Sequence, residues 1–208
     1  MYKLPKETMD TVARSVLQFW FGDRPDDAAV IAQKSPVWFQ KDAAVDDEIR
    51  ERFGELREAA IAGELASWSE TPHGRLALIV LVDQFSRNLF RDDARAFEHD
   101  VLSRAWAREA VATAADHALR PVERMFVYLP FEHSESLADQ EWAVALFTGL
   151  RDEVAPAQRE AFDGILRFAE RHCDIVARFG RFPHRNAVLG RESTPAEIEF
   201  LKQPGSSF

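Results

Sequence analysis

Helical start signals followed by apolar stripes are the feature that most constrains how this chain can fold. Thr71 and Thr194 are each followed directly by proline, which is the order of an N-cap residue and the first helical position. The first of these starts leads into an uninterrupted apolar run from Leu76 to Val82. No run of alternating β-branched residues competes with the helical spacing. The pattern therefore predicts an all-α chain.

Short turn signals divide the chain into roughly eight to ten predicted helices, which favours a layered, antiparallel helical array. At 208 residues the chain fits a single helical domain, residues 1–208. The predicted helices cover about 8–19, a short helix begun by Ser35 and Pro36, 45–62, 71–90, 92–115 capped by Asp92 and Asp93, a helix from Pro121 interrupted at Pro130, 134–150, 156–179 and 194–201.

Charge and cysteine content exclude several classes of protein. The chain has 35 acidic residues against 26 Lys and Arg, a formal charge of −9, so we expect no nucleic-acid partner and no binding to an anionic membrane. A single cysteine, Cys173, permits no internal disulfide. With no secretory signal or membrane-spanning run in this sequence, we predict a soluble, cytoplasmic protein.

An arginine-rich stretch near the C-terminus is too polar for a core and too aromatic for a linker. Residues 178–191 contain four arginines together with His184 and Asn186. Gly180 is placed to end the preceding helix, and Thr194 to begin the next. We predict an ordered loop that presents arginines toward Asp83, Glu132 and Glu135.

Polar side chains also interrupt two predicted apolar helix faces and one helix start. Asp83 and Arg87 continue the apolar stripe of the central helix, so we expect them to point inward and to pair. His172 lies on the apolar face of the long helix, and residues 132–135 precede another helix. The candidates for acid–base catalysis are Asp83, His133, Glu135 and His184. The candidates for ligand binding are Gln84, Arg87, Asn88, Glu132, His172, Arg178, Arg181, Arg185, Asn186 and Arg191.

Three interpretations of these residues remain open at this point. They form a site for a small anionic molecule bearing phosphate or carboxylate, with or without turnover; they form a structural network that fixes the helices; or the chain is a peptide-binding interaction module. No metal is predicted, because no paired histidine spacing occurs on one helix. No cofactor is predicted, because no phosphate-binding glycine loop occurs. The sequence decides neither enzymatic activity nor oligomeric state.

Three motifs in order resemble the bacterial domain-of-unknown-function family 924. They are Asp83 to Asn88 with Arg91, Pro130 to Glu135, and Arg178 to Asn186 followed by Leu189 to Arg191 and by Ser193 and Thr194. The resemblance spans nearly the whole chain, from Phe19 onward. It implies a tetratricopeptide-like helical fold and brings no established activity, substrate or catalytic residue. Ser86, Asp92, Asp93 and Cys173 depart from the family pattern, and the departure at Cys173 argues against a catalytic thiol there.

Overall fold

The computed structural model describes residues 6–207, and the side chains of residues 11–207. Within that range all regular structure is helical and no strand occurs, which confirms the predicted all-α class. Ten segments are α-helical: α1 (Lys6–Phe21), α2 (Asp27–Phe39), α3 (Ala43–Ile61), α4 (Pro72–Ile79), α5 (Phe85–Leu89), α6 (Asp100–Ala112), α7 (Pro121–Glu132), α8 (Leu137–Glu153), α9 (Arg159–Phe179) and α10 (Pro195–Leu201). Because a π-helical turn (Val80–Gln84) joins α4 to α5, the described residues form nine continuous helices, within the predicted eight to ten.

Helices α4 and α7 form the centre of the molecule. The run from Leu76 to Val82 is at most 1% exposed, and every side chain from Val122 to Glu132 is buried. Helix α4 packs against α1, α6 and α7, while α7 also contacts α2 and α8. Helix α9 lies along α8 and contacts α2 and α7. Burial of so much apolar surface is the main force that holds this arrangement together. The more specific tetratricopeptide-like label stays a prediction.

The π turn in the central helix inserts polar groups into this apolar centre. The Phe85 N–H donates to the Val80 carbonyl, five residues back, instead of four. Two side chains bond to carbonyls of the turn: the Ser86 hydroxyl donates to Val82 at 2.5 Å, and Arg87 Nη1 donates to Asp83 at 2.7 Å. The widened turn thus stays hydrogen-bonded while Asp83 lies inside the protein.

Local capping signals were predicted correctly. The Thr71 side chain accepts a hydrogen bond from the Gly74 N–H at 3.1 Å. Thr194 and Glu197 form a reciprocal capping box, with bonds of 3.3 and 2.7 Å. Gly180 ends α9 in the left-handed conformation, with φ of 69°. These three signals need only neighbouring residues, so they can be read from sequence.

Three predicted boundaries were wrong. Pro36 does not begin a helix, because α2 already begins after Asp26, whose carboxylate accepts from the Ala29 N–H at 2.7 Å. Pro130 does not interrupt α7, since it lies in the last turn and the helix ends two residues later at Glu132. Asp93 caps only a short 3₁₀ turn (Ala94–Ala96), and α6 begins at Asp100. Among the described helices, none is long and apolar enough to cross a membrane.

Candidate functional site

A cavity of about 710 Å³ lies between α2, α5, α7, α9 and the loop that follows α9. Its walls include the apolar side chains of Trp38, Leu129 and Ile165. Phe39 and Phe168, which also line it, are 59% and 51% exposed. The volume falls within the range of small-molecule sites, which are mostly apolar with a few placed polar groups. The candidate residues that line it are Gln84, Arg87, Asn88, Glu132, His133, His172, His184 and Arg185.

His133 lines the cavity and is hydrogen-bonded to the buried carboxylate of Asp83. Asp83 is fully buried on the π turn, and its two carboxylate oxygens lie 3.0 and 2.9 Å from His133 Nδ1. Gln84 Nε2 donates to the same carboxylate at 2.6 Å. Because an ionised carboxylate only accepts, the His133 proton lies on Nδ1 and its Nε2 atom carries the lone pair. This is the arrangement in which a carboxylate orients a histidine to act as a general base.

The surroundings of this pair favour an ionised Asp83, through Arg87 and His133, and a neutral His133, mainly through burial. Burial alone would raise the pKa of Asp83, but Arg87 at 3.2 Å and His133 outweigh burial and hold that pKa well below its ordinary value. Burial and the positive charge of Arg87 lower the pKa of His133 below 6.5. Arg87 itself binds Asp100 through two bonds of 3.0 and 2.9 Å. The predicted pairing of Asp83 with Arg87 is therefore present.

Glu132, the last residue of α7, is also a buried carboxyl group, but its pKa is raised whereas that of Asp83 is lowered. It is 4% exposed, and its Oε1 atom lies 3.2 Å from His172 Nδ1, which also bonds the Phe168 carbonyl at 2.8 Å. Its Oε2 atom is buried and has no hydrogen-bond partner among the described residues. Burial and the nearby charge of Asp83 raise the pKa of Glu132 to about 8. Burial lowers the pKa of His172 to about 3, so at pH 7 both groups are mainly neutral.

Arg185 separates this cavity from a second cavity and forms no ion pair with a carboxylate of the described residues. It is 7% exposed, its Nη1 donates to the His133 carbonyl at 2.9 Å, and its Nε is buried without a partner. The guanidinium stacks on Phe97 and Phe182, with centroids at 4.6 and 4.3 Å. Burial and Arg87 lower the pKa of Arg185 to about 10, so it remains a cation at pH 7. A buried, unpaired guanidinium favours an anionic ligand.

The other arginines of the loop lie outside the cavity. Arg191 binds both oxygens of Glu135, at 2.6 and 2.8 Å, and Glu135 also accepts from the Phe182 N–H at 2.8 Å. Arg181 binds both oxygens of Glu197, at 2.7 and 2.8 Å. Asn186 is 1% exposed, and it donates to Ser193 and accepts from Arg191. Arg178 is exposed and stacks on Phe179 and Phe200. These contacts hold the loop in place, and of the predicted contacts to acidic residues the one to Glu135 is present.

Two aspartates that bind side chains of the cavity lining carried no local sequence signal. Asp46, in the first turn of α3, accepts from Asn88 at 2.8 Å and from Arg91 at 2.5 and 2.9 Å. Asp100 at the start of α6 holds Arg87. Both aspartates resemble ordinary first-turn helix residues in sequence. Their partners lie 42 and 13 residues away, so only the tertiary fold identifies them.

Residues 16–205 match the family described as "Bacterial protein of unknown function (DUF924)". The chain belongs to this family. A solved structure, that of a protein of unknown function from Agrobacterium tumefaciens, is similar to this chain, with 38% sequence identity and a TM-score of 0.78. The match covers 93% of this chain and 98% of that one. Among functionally curated proteins, none matches the chain.

The three motifs that carry the DUF924 resemblance meet at the cavity. The first contributes Gln84 and Arg87, the second Glu132 and His133, and the third Arg185, while the buried Asp83 of the first motif is hydrogen-bonded to His133. His184, from the third motif, also lines the cavity, and burial and the charge of Arg185 lower its pKa to about 4. Motifs separated by about 50 residues thus contribute one continuous wall. That wall contains a base, a neutral acid and a cation.

Two departures from the DUF924 pattern lie away from this wall. Ser86 accepts from Arg57 Nε at 2.8 Å and is 1% exposed, so it serves the packing of α3 against α5. Cys173 is half-buried on α9 and does not line the cavity. Burial raises the pKa of the Cys173 thiol, which lowers its nucleophilicity at neutral pH. Among the described residues, no group of three or more His, Cys, Asp or Glu side chains is placed to hold a metal ion.

Proposed function

We propose that this protein binds a small organic anion in the 710 Å³ cavity, with its anionic group at Arg185 and its apolar part against Trp38 and Ile165. The observation that carries the proposal is the buried Arg185 guanidinium, which has no carboxylate partner among the described residues although it is charged. Leaving a buried cation unpaired is costly unless a ligand supplies the opposite charge.

The position of His133 extends the proposal from binding to turnover. His133 lines the same cavity, and its main-chain carbonyl accepts the bond from Arg185, so an anion held there lies close to the imidazole. Asp83 holds the His133 imidazole in the form that is protonated on Nδ1, so the Nε2 atom is unprotonated and its lone pair is available. A base held beside a bound substrate is the minimum arrangement for proton-transfer catalysis. We therefore propose an enzyme with His133 as its general base.

Thermal unfolding with a panel of aliphatic and aromatic carboxylates and phosphate monoesters tests the binding. A ligand at 100 times its Kd adds about 2.7 kcal/mol of stability, which raises the Tm by roughly 5–10 °C for a chain of this size. Arg185→Met should weaken the affinity about 10- to 100-fold, because a hydrogen bond to a charged group contributes about 1.5–3 kcal/mol.

Arg178→Met is the matched control, because Arg178 is exposed and outside the cavity, and its affinity should equal that of the wild type. The proposal fails if no anion in the panel stabilises the protein, or if Arg185→Met binds as tightly as Arg178→Met. A peptide-binding role and a cytoplasmic location stay predictions from the sequence.

A further inference from the structure

Glu132 supplies a second chemical function in the cavity, that of a hydrogen-bond donor. It is 4% exposed, and no lysine or arginine lies within salt-bridge distance of it among the described residues. An ionised carboxylate in such a position would be strongly unfavourable, so the group is held as a carboxylic acid. The proton can be donated from Oε2, the atom for which the described residues provide no partner. A ligand oxygen at that position would accept it.

Glu132 and His133 are consecutive residues with opposite roles. The acid is neutral and able to donate, while the imidazole is neutral and able to accept through Nε2. Both line the cavity that contains Arg185. In many enzymes the surroundings of two neighbouring titratable groups move their pKa values apart, so that one acts as the acid and the other as the base of the reaction.

The three groups together define a substrate class. Arg185 is the buried cation of the cavity that has no carboxylate partner among the described residues. The other lysine and arginine side chains of the lining are engaged elsewhere: Lys41, Arg87 and Arg91 pair with Asp92, Asp100 and Asp46, and the exposed Arg171 donates to the Gly205 carbonyl. A single cation suits a carboxylate monoanion better than a phosphate dianion. Glu132 requires an acceptor oxygen, and His133 requires a proton that it can remove. A 2-oxo carboxylate has a carbonyl oxygen next to its carboxylate and an acidic proton on the carbon beyond.

Resting on the proposed function, we infer that the cavity binds 2-oxo carboxylates with an apolar side chain and interconverts their keto and enol forms, with His133 as base and Glu132 as acid. His133 Nε2 takes a proton from C3, and the C3–H electron pair becomes the C2–C3 double bond. The C2–O π electrons move to oxygen, which takes the proton of Glu132. When the enol leaves, His133 gives its proton to water and Glu132 takes one from water; the reverse path adds a solvent-derived proton at C3. Both residues are thereby restored, and no oxidant, reductant or cofactor is consumed.

Proton exchange in D2O tests the inference directly. With 4-methyl-2-oxopentanoate as the probe, NMR should show loss of the C3 proton signals faster than in buffer alone. We expect His133→Gln and Glu132→Gln to slow the enzymatic exchange about 100-fold or more, as is usual for removal of an acid or base. Glu141→Gln and His117→Gln are matched controls on exposed positions and should exchange at the wild-type rate.

Binding of 4-methylpentanoate, which lacks the carbonyl, separates this inference from the proposed function. If neither compound binds while another anion of the panel stabilises the protein, only the inference fails; if no anion binds, the proposed function fails with it. If both bind but exchange stays at the buffer rate, or persists unchanged in both Glu132→Gln and His133→Gln, only the inference fails. Competitive inhibition of the exchange by 4-methylpentanoate supports the inference in wild-type protein, without relying on variants that fold. Exchange insensitive to that inhibitor would overturn it.

Discussion

Replacing Glu132 by glutamine should stabilise the protein, and by an amount that grows with pH. In the folded chain the pKa of Glu132 is raised to about 8 by burial and by Asp83, from an ordinary value of 4.5. Between those two values the unfolded chain has released a proton that the folded chain retains. Stability of the wild type therefore falls as the pH rises through this interval. Glutamine resembles the protonated acid and does not titrate, so the stability of the variant does not fall over this pH interval.

The size of the effect follows from linkage. One retained proton changes the free energy of unfolding by about 1.36 kcal/mol for each pH unit. Between pH 5 and pH 8 the advantage of Glu132→Gln over the wild type should therefore grow by roughly 3–4 kcal/mol. For a chain of about 200 residues this corresponds to a difference in Tm of roughly 10 °C. Full burial of the group, at 4% exposure, means that solvent screening reduces the figure little.

Urea unfolding of both proteins at several pH values measures this difference, and Glu135→Gln provides a control of opposite sign. Burial alone would raise the pKa of Glu135, but its bonds from Arg191 and the Phe182 N–H lower it below the ordinary value. Its charge therefore stabilises the fold at neutral pH, and that contribution disappears as the pH falls. Glu135→Gln should be less stable than the wild type at pH 7 and should approach it in acid. Stability curves of wild type and Glu132→Gln that run parallel from pH 5 to pH 8 would refute a neutral Glu132.

Two further substitutions test the polar contacts of the described residues, and a third tests the end of α9. Asp83→Asn should lower the stability by about 3 kcal/mol, because it removes one charge of a buried pair, and an unchanged urea midpoint would contradict that role. Arg191→Met should cost about 1.5 kcal/mol by calorimetry through the loss of its two charged bonds, whereas the exposed Arg178→Met should stay within about 0.5 kcal/mol. Gly180→Ala should cost about 1 kcal/mol through its φ of 69° alone, since a Cβ there meets no atom within 4 Å; a larger loss of Tm would indicate a steric clash instead.

Sequence reasoning succeeded for this chain where the signal is local. The Thr71 and Thr194 caps and the Gly180 stop depend on residues three or four positions away. The inward direction of Asp83 was likewise predicted from its place on the apolar stripe. Pro36 was misread, because a proline in the last turn of a helix and one in the first turn look alike without the helix start at Asp26.

The residues of the candidate site could be predicted from the sequence, but the contacts that they make with one another could not. His133 meets Asp83 across 50 residues, and nothing in either neighbourhood specifies that contact. Four loop arginines looked equivalent in sequence, but three of them are outside the cavity and Arg185 lines it. After folding, Arg181 and Arg191 bind carboxylates, Arg178 stacks on aromatic rings and Arg185 lines the cavity, and these differences are a tertiary property. Predicting it would require the helix packing first.

The π turn between Val80 and Gln84 also bears on how such a site arises. The turn holds one residue more than a regular α-helix needs over the same length. Deleting one residue there would rotate the following segment by about 100°, turning Arg87 away from Asp100 and Asn88 away from Asp46. The apolar half, from Leu76 to Ile79, would keep its place in the core. A single inserted residue is thus enough to place the polar end of an otherwise apolar helix in the wall of a cavity.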